Sequence, residues 1–159
     1  MITVTLGTIP FPFARAIDWL ECLLNHGTIS EDVFVQHGVS DISQLANYPL
    51  VKTASVVMPE LLDQMIQSSR LVIAHAGQGS ARKLAAMDVS FVLLPRLASY
   101  GEHIDDHQFA FAHSISELGV TYCSSLESLE QAVLNPPKPL NKPLLDGPWL
   151  AHHLIKSYS

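Results

Sequence analysis

Leu71-Val72-Ile73-Ala74-His75-Ala76-Gly77-Gln78-Gly79-Ser80 is the stretch that decides the fold. Four apolar residues run without a polar break, as in a strand buried on both faces of a parallel sheet. The glycines that follow let the backbone turn tightly and approach a ligand without side-chain obstruction. A helix from Ser80 to about Met87 completes a strand–turn–helix unit, the building block of α/β domains.

The same alternation extends in both directions. Upstream, Ile2 to Leu6 reads as a strand ended by Gly7-Thr8. Phe13, Ala16, Ile17, Leu20, Leu23 and Leu24 then recur at helical spacing. Val33 to Gln36 is a second strand closed by Gly38, and Lys52 to Val56 a third, with Pro59 suited to a first helical turn. Downstream, Phe91 to Leu94 is a strand stopped by Pro95, and a polar loop leads into a helix from about Ile104 to Leu118, ended by Gly119. Val120 to Cys123 gives a last strand, and Ser125 caps a helix through Leu134. The pattern predicts an α/β fold, a Rossmann-like, doubly wound parallel sheet flanked by helices. Residues 1–134 form this domain. NPPKPLNKP (135–143) is too rich in proline for a helix or central strand and reads as a stiff linker. In the remainder up to 159, Trp149, Leu150, Leu154 and Ile155 are spaced as a short amphipathic helix, which covers the core or meets a partner.

Composition narrows the class of function. With 159 residues, 48% hydrophobic and 15% charged, the chain is sized for one globular core. A formal charge of −6 argues against a sequence-independent grip on nucleic acid, so no nucleic-acid partner is expected. Cys22 and Cys123 lie far apart at no metal-ligand spacing and read as reduced thiols. No basic segment precedes an apolar stretch at the start, and no apolar run reaches the roughly 18–20 residues of a membrane span. A cytoplasmic location is the expectation.

In a doubly wound sheet, ligands settle at the carboxyl ends of the strands. Three segments fall there: Gly7-Thr8, the turn His75 to Ser80, and the loop Pro95 to Gln108. A helix starting beyond the turn offers free N–H groups and the positive end of its dipole to an anion; Ser80 adds a hydroxyl and His75 a ring N–H. The alternative is a glycine turn used only for packing. The Walker pattern fails, because Gly79 is followed by Ser80 and Ala81 rather than lysine, and the dinucleotide fingerprint fails at Arg82. Tyr100-Gly101-Glu102-His103-Ile104-Asp105-Asp106-His107-Gln108 is dense in groups able to bind sugar hydroxyls. On a helix His103 and His107 would share one face, which raises a metal reading with Asp106 or Glu102, or a hydrolase built on it; with no independent third ligand, no metal is assigned. A solvated capping region without a ligand is the other reading. Asp18, Glu21, Glu31 and Asp32 read as solvated charges, and His152-His153 as surface.

VTLGTIPFPFARAI (3–16), VFVQHGVSD (33–41), LVIAHAGQGS (71–80) and LLPRLASYGEHIDDHQ (93–108) together resemble the small donor-binding subunits of bacterial exopolysaccharide and capsule glycosyltransferases. Those belong with the C-terminal half of family 28 glycosyltransferases and are similar to the soluble subunit of the eukaryotic lipid-linked N-acetylglucosaminyl transferase. The resemblance implies a single GT-B half-domain that binds a UDP-sugar as donor, with no other cofactor. It implies a membrane-attached subunit carrying the acceptor half, a lipid-linked glycan as acceptor, and recruitment to the inner face of the membrane. By the same resemblance His75, Gly77, Gly79 and Ser80 hold the donor's diphosphate, Gly7 and Thr8 approach it from the first loop, Gln78 belongs to the same donor site, and His107 and Gln108 read the sugar. The base is expected in the acceptor half; Glu102 and His103 are the local candidates. Two positions depart from the family pattern: Lys83 stands where a ribose-binding glutamate is usual, and Asp88-Val89-Ser90 where Gly-Lys-Pro is common. Lys83 motivates the alternative of a non-catalytic accessory subunit that stabilises or recruits the transferase.

Overall fold

The computed structural model describes residues 1–140 and 143–144. The expected amphipathic helix around Trp149 to Ile155 and the pair His152-His153 lie outside these residues. Six strands form one all-parallel sheet: β1 (Ile2–Thr5), β2 (Val33–Gln36), β3 (Val51–Ala54), β4 (Leu71–His75), β5 (Phe91–Leu94) and β6 (Thr121–Tyr122). Five α-helices connect or follow them among the described residues: α1 (Ala14–Asn25), α2 (Pro59–Gln67), α3 (Gln78–Ala86), α4 (His107–Ser116) and α5 (Leu126–Leu134). The strand order is β3-β2-β1-β4-β5-β6, so the winding direction reverses between β1 and β4. This is a Rossmann-like α/β arrangement, and the reversal leaves a crevice at the carboxyl ends of β1 and β4.

Side-chain alternation divides the core between the two faces of the sheet. Ile2 and Val4 of β1, Leu71 and Ile73 of β4, and Val92 and Leu94 of β5 pack with α1 and α5. Val72, Ala74, Phe91 and Leu93 point the other way, against α2, α3 and α4. Both faces are buried, which is why β4 and β5 read as unbroken apolar runs rather than alternating ones. Thr3 and Thr5 are the polar residues of β1; the Thr3 hydroxyl lies 2.7 Å from Ser69 Oγ and Thr5 Oγ1 donates to Gln36 Oε1.

Local chemistry explains the element ends. Pro59 occupies the first turn of α2, where its missing N–H removes no helical bond. Ser125 and Ser128 form a reciprocal capping box at the start of α5. Two helices start at other places than the sequence suggests. α3 begins at Gln78, so Gly79 lies inside its first turn, where its N–H has no helical acceptor. α4 begins at His107 rather than Ile104: Asp105 Oδ1 accepts from the His107 N–H and Asp106 Oδ1 from the Ala98 N–H, holding residues 104–106 out of the helix.

The proline-rich stretch after α5 has neither helix nor strand through Leu140, and it runs against the domain. Ser90 Oγ donates to the Pro137 carbonyl at 2.5 Å, Leu140 packs on the α2–α4 side of the core, and Leu144 is buried there. No helix among the described residues is long and apolar enough to cross a membrane.

Candidate functional site

The crevice between β1 and β4 opens into a cavity of about 280 Å3. Thr5 lines it from the end of β1, Gly7, Thr8 and Ile9 from the first loop, Gln36 from β2, Val56 and Val57 from the approach to α2, Leu62 from α2 itself, and His75 and Ser80 from β4 and α3. Gly7-Thr8 and the turn after β4 both line it, and the third segment reaches the same place from behind through Gln108, which contacts His75.

His75, the last residue of β4, is the centre of the arrangement. Its ring is wedged between two glycines. A Cβ on Gly7 would stand 2.7 Å from His75 Nε2, and one on Gly77 would stand 2.7 Å from Cε1. Gly7 also has φ +78°, a conformation side chains resist. These two glycines serve the ring's placement as much as the turn. Burial, with Arg96 and His103 nearby, lowers the His75 pKa to about 4. The ring is neutral at neutral pH.

α3 points its N-terminus at this ring. The first helical bond runs from the Ala81 N–H to the Gly77 carbonyl, and no side chain caps the helix. The N–H groups of Gln78, Gly79 and Ser80 thus lack helical acceptors. Ser80 Oγ lies 3.3 Å from His75 Nε2. The combination of free amides, hydroxyl, neutral imidazole and helix dipole suits an anion such as a phosphate.

Gln108 sits behind the ring rather than in the cavity. Its Oε1 accepts from the Ala76 and Arg96 N–H groups, both at 3.2 Å, and its Nε2 is 3.1 Å from His75 Nδ1. Glu102 is buried and bound at both oxygens: Oε1 accepts from Arg15 Nη2 and the Leu97 N–H, each at 2.9 Å, and Oε2 accepts from Arg15 Nε at 3.1 Å. These bonds tie the loop after β5 to α1. His103 stacks on Phe11, with ring centroids 6.1 Å apart. His103 and His107 do not share a helical face, because α4 starts only at His107. Their Nδ1 atoms instead bracket Asp105, at 3.3 and 3.0 Å. The His107 N–H is the main cause that holds the Asp105 carboxyl below its ordinary pKa. Among the described residues no set of three or more His, Cys, Asp or Glu side chains is arranged to hold a metal ion.

Three residues that hold the site together were not singled out in the sequence. Arg96 is buried, and its guanidinium donates to the carbonyls of Phe11, Glu102 and Leu6 while lying 4.8 Å from the centre of the Phe13 ring. Burial lowers its pKa to about 10, which leaves it charged. Arg15 lies over Phe13, Trp19 and Tyr100 as it grips Glu102. Gln36 accepts from the Gly7 N–H and Thr5 Oγ1 and donates to the carbonyls of Gly7 and Ser55, which fixes the first loop. An arginine directly after the Pro95 strand stop was the one available signal. Lys83, one turn beyond Ser80, pairs with Asp63 of α2 at 2.6 Å. Cys22 and Cys123 are both free thiols, and burial pushes Cys123 up to about 11.

Solved structures share this architecture. The glycosyltransferase SnogD from Streptomyces nogalater matches with a TM-score of 0.55 at 20% identity, over 98% of this chain and 38% of its own. MurG from Acinetobacter baumannii matches at 0.61 and 18%, over 98% of this chain and 44% of its own. The chain thus spans about two fifths of these proteins. The solution structure of ALG13 matches at 0.63 and 17%, over 99% of this chain and 96% of its own. No curated protein matches significantly. The profile of the glycosyltransferase family 28 C-terminal domain matches residues 1–144, and the chain belongs to that family.

Proposed function

We propose that the chain is the donor-binding half of a two-component glycosyltransferase that uses a UDP-sugar, hexosyl or glycuronosyl. The observation that carries this reading is the uncapped N-terminus of α3 beside neutral His75 and Ser80, at the mouth of a cavity in the crevice between β1 and β4. Family membership supports glycosyl transfer as the chemistry.

Transfer requires stabilisation of the charge that builds on the departing diphosphate. Free amides of α3, Ser80 Oγ and a ring N–H of His75 supply fixed donors for that charge without a metal. Gly7 and Thr8 close the site from the first loop. The acceptor hydroxyl also needs a base. With Glu102 committed to Arg15 and the Leu97 N–H, that base is assigned to the partner, a membrane-attached subunit presenting a lipid-linked glycan for exopolysaccharide or capsule synthesis. Binding to it would bring this chain to the cytoplasmic face of the membrane.

Titration of the chain, alone and with its partner, with UDP tests the donor role. Ser80→Ala is expected to weaken UDP binding by about tenfold or more, as for a hydrogen bond to a charged group. Absence of UDP binding in both preparations would sink the reading. Lys83 favours a second one. Its ammonium is held by Asp63 next to Ser80 and cannot accept hydrogen bonds from a ribose. In a non-catalytic accessory subunit, Gly77→Ala would leave the complex's transferase activity unchanged; in a donor-binding subunit it would abolish it.

A further inference from the structure

The hydrogen-bond pattern behind His75 fixes more than its position. Gln108 Oε1 receives two backbone N–H groups, those of Ala76 and Arg96. Only an oxygen can accept both, so the atom facing His75 Nδ1 is the amide nitrogen. An amide nitrogen only donates. Nδ1 must therefore carry no proton, and the proton of the neutral ring lies on Nε2, the atom that faces Ser80 Oγ and the cavity. The ring occupies the space that side chains on Gly7 and Gly77 would fill.

We propose that Gln108 is a positioning residue that locks His75 as the Nε2–H tautomer, so that the ring presents a permanently protonated, uncharged donor to an anionic ligand. This rests on the reading of the cavity as a phosphate site, and it gives Gln108 a task behind the ring rather than on the donor sugar. A free imidazole shares its proton between the two nitrogens and gains charge near neutral pH. Here a second proton on Nδ1 would set N–H against N–H. The titratable and charged groups around the ring are Arg96 and His103 on the loop after β5, and both disfavour an imidazolium. The neutral groups are Ser80 on α3, Gln108 on α4 and the backbone at Gly7.

Nitrogen-15 NMR of histidine-labelled chain reads the tautomer directly, without activity or ligand. At neutral pH the expected pattern for His75 is a protonated Nε2 and a bare Nδ1. Gln108→Glu keeps the two backbone acceptor contacts but places an acceptor at Nδ1. It should move the proton to Nδ1 or charge the ring, and shift the His75 titration upward from about 4. Gln108→Met should give a mixture of tautomers. An Nδ1–H ring in the unsubstituted chain, or a pattern unchanged in both variants, would overturn the proposal. If a substitution prevents folding, the spectrum of the unsubstituted chain still decides between the two tautomers. UDP titration of the same samples separates the two claims. Intact tautomer with no UDP binding leaves the lock standing and removes the donor reading, whereas UDP binding to an Nδ1–H ring does the reverse.

Discussion

At the scale of single residues, His75 was legible as a donor candidate, but the reason for its glycines was not. Gly7 and Gly77 lie 70 positions apart in sequence and meet only across the ring. No local pattern encodes that meeting. Gly7→Ala adds a methyl 2.7 Å from Nε2 at a φ of +78°, so it should cost about 1–3 kcal/mol in chemical denaturation and displace the ring. Gly79→Ala is the control, since nothing lies within 4 Å of a Cβ there. His75 also makes a pH prediction. Its folded pKa of about 4 is below the ordinary 6.5, so between those values the unfolded chain binds the proton and the folded chain does not. Stability must then fall as pH drops through that window, with a slope approaching about 1.4 kcal/mol per pH unit. Denaturation of His75→Gln across the same range should lack this component; an equal slope in both chains would refute the buried, neutral ring.

At the scale of elements, the strands were read well because their signal is local: Val33–Gln36 and Phe91–Leu94 are bounded as their apolar runs suggest. The starts of α3 and α4 were not, because a glycine at a first helical turn looks like loop and an aspartate pair looks like helix until its side-chain acceptors are seen. The loop after β5 was legible as polar and functional, yet its support came from far away. Arg15 reaches Glu102 across 87 positions, and Arg96 reaches the Phe11 carbonyl across 85. Glu102 is only 1% exposed, and its removal would leave the Leu97 N–H without its acceptor and Arg15 with only the Pro95 carbonyl and no carboxylate. Glu102→Ala is therefore expected to destabilise the chain by about 3 kcal/mol. Faster exchange of the Leu97 amide should accompany that loss. If stability and exchange are unchanged while transfer fails, Glu102 is a base after all.

For the whole molecule, the six-stranded winding follows from the repeated strand–turn–helix units, and the reversal between β1 and β4 puts the crevice where the glycines are. The reach of the domain beyond α5 is less local. Prolines end regular structure at Asn135, which suggests a boundary at Leu134, but they do not prevent an extended chain from packing. Pro137 takes a hydrogen bond from Ser90, Leu140 packs against the core, and Leu144 is 3% exposed. Burying one leucine contributes about 1.5–3 kcal/mol. A chain ending at Leu134 should accordingly lose at least that much against one ending at Leu144, read from urea midpoints at constant m. The shorter chain would lose Leu140 and Leu144 from the α2–α4 side of the core. Equal midpoints would mean that the segment merely lies on the surface, and the domain would then end where the helix does.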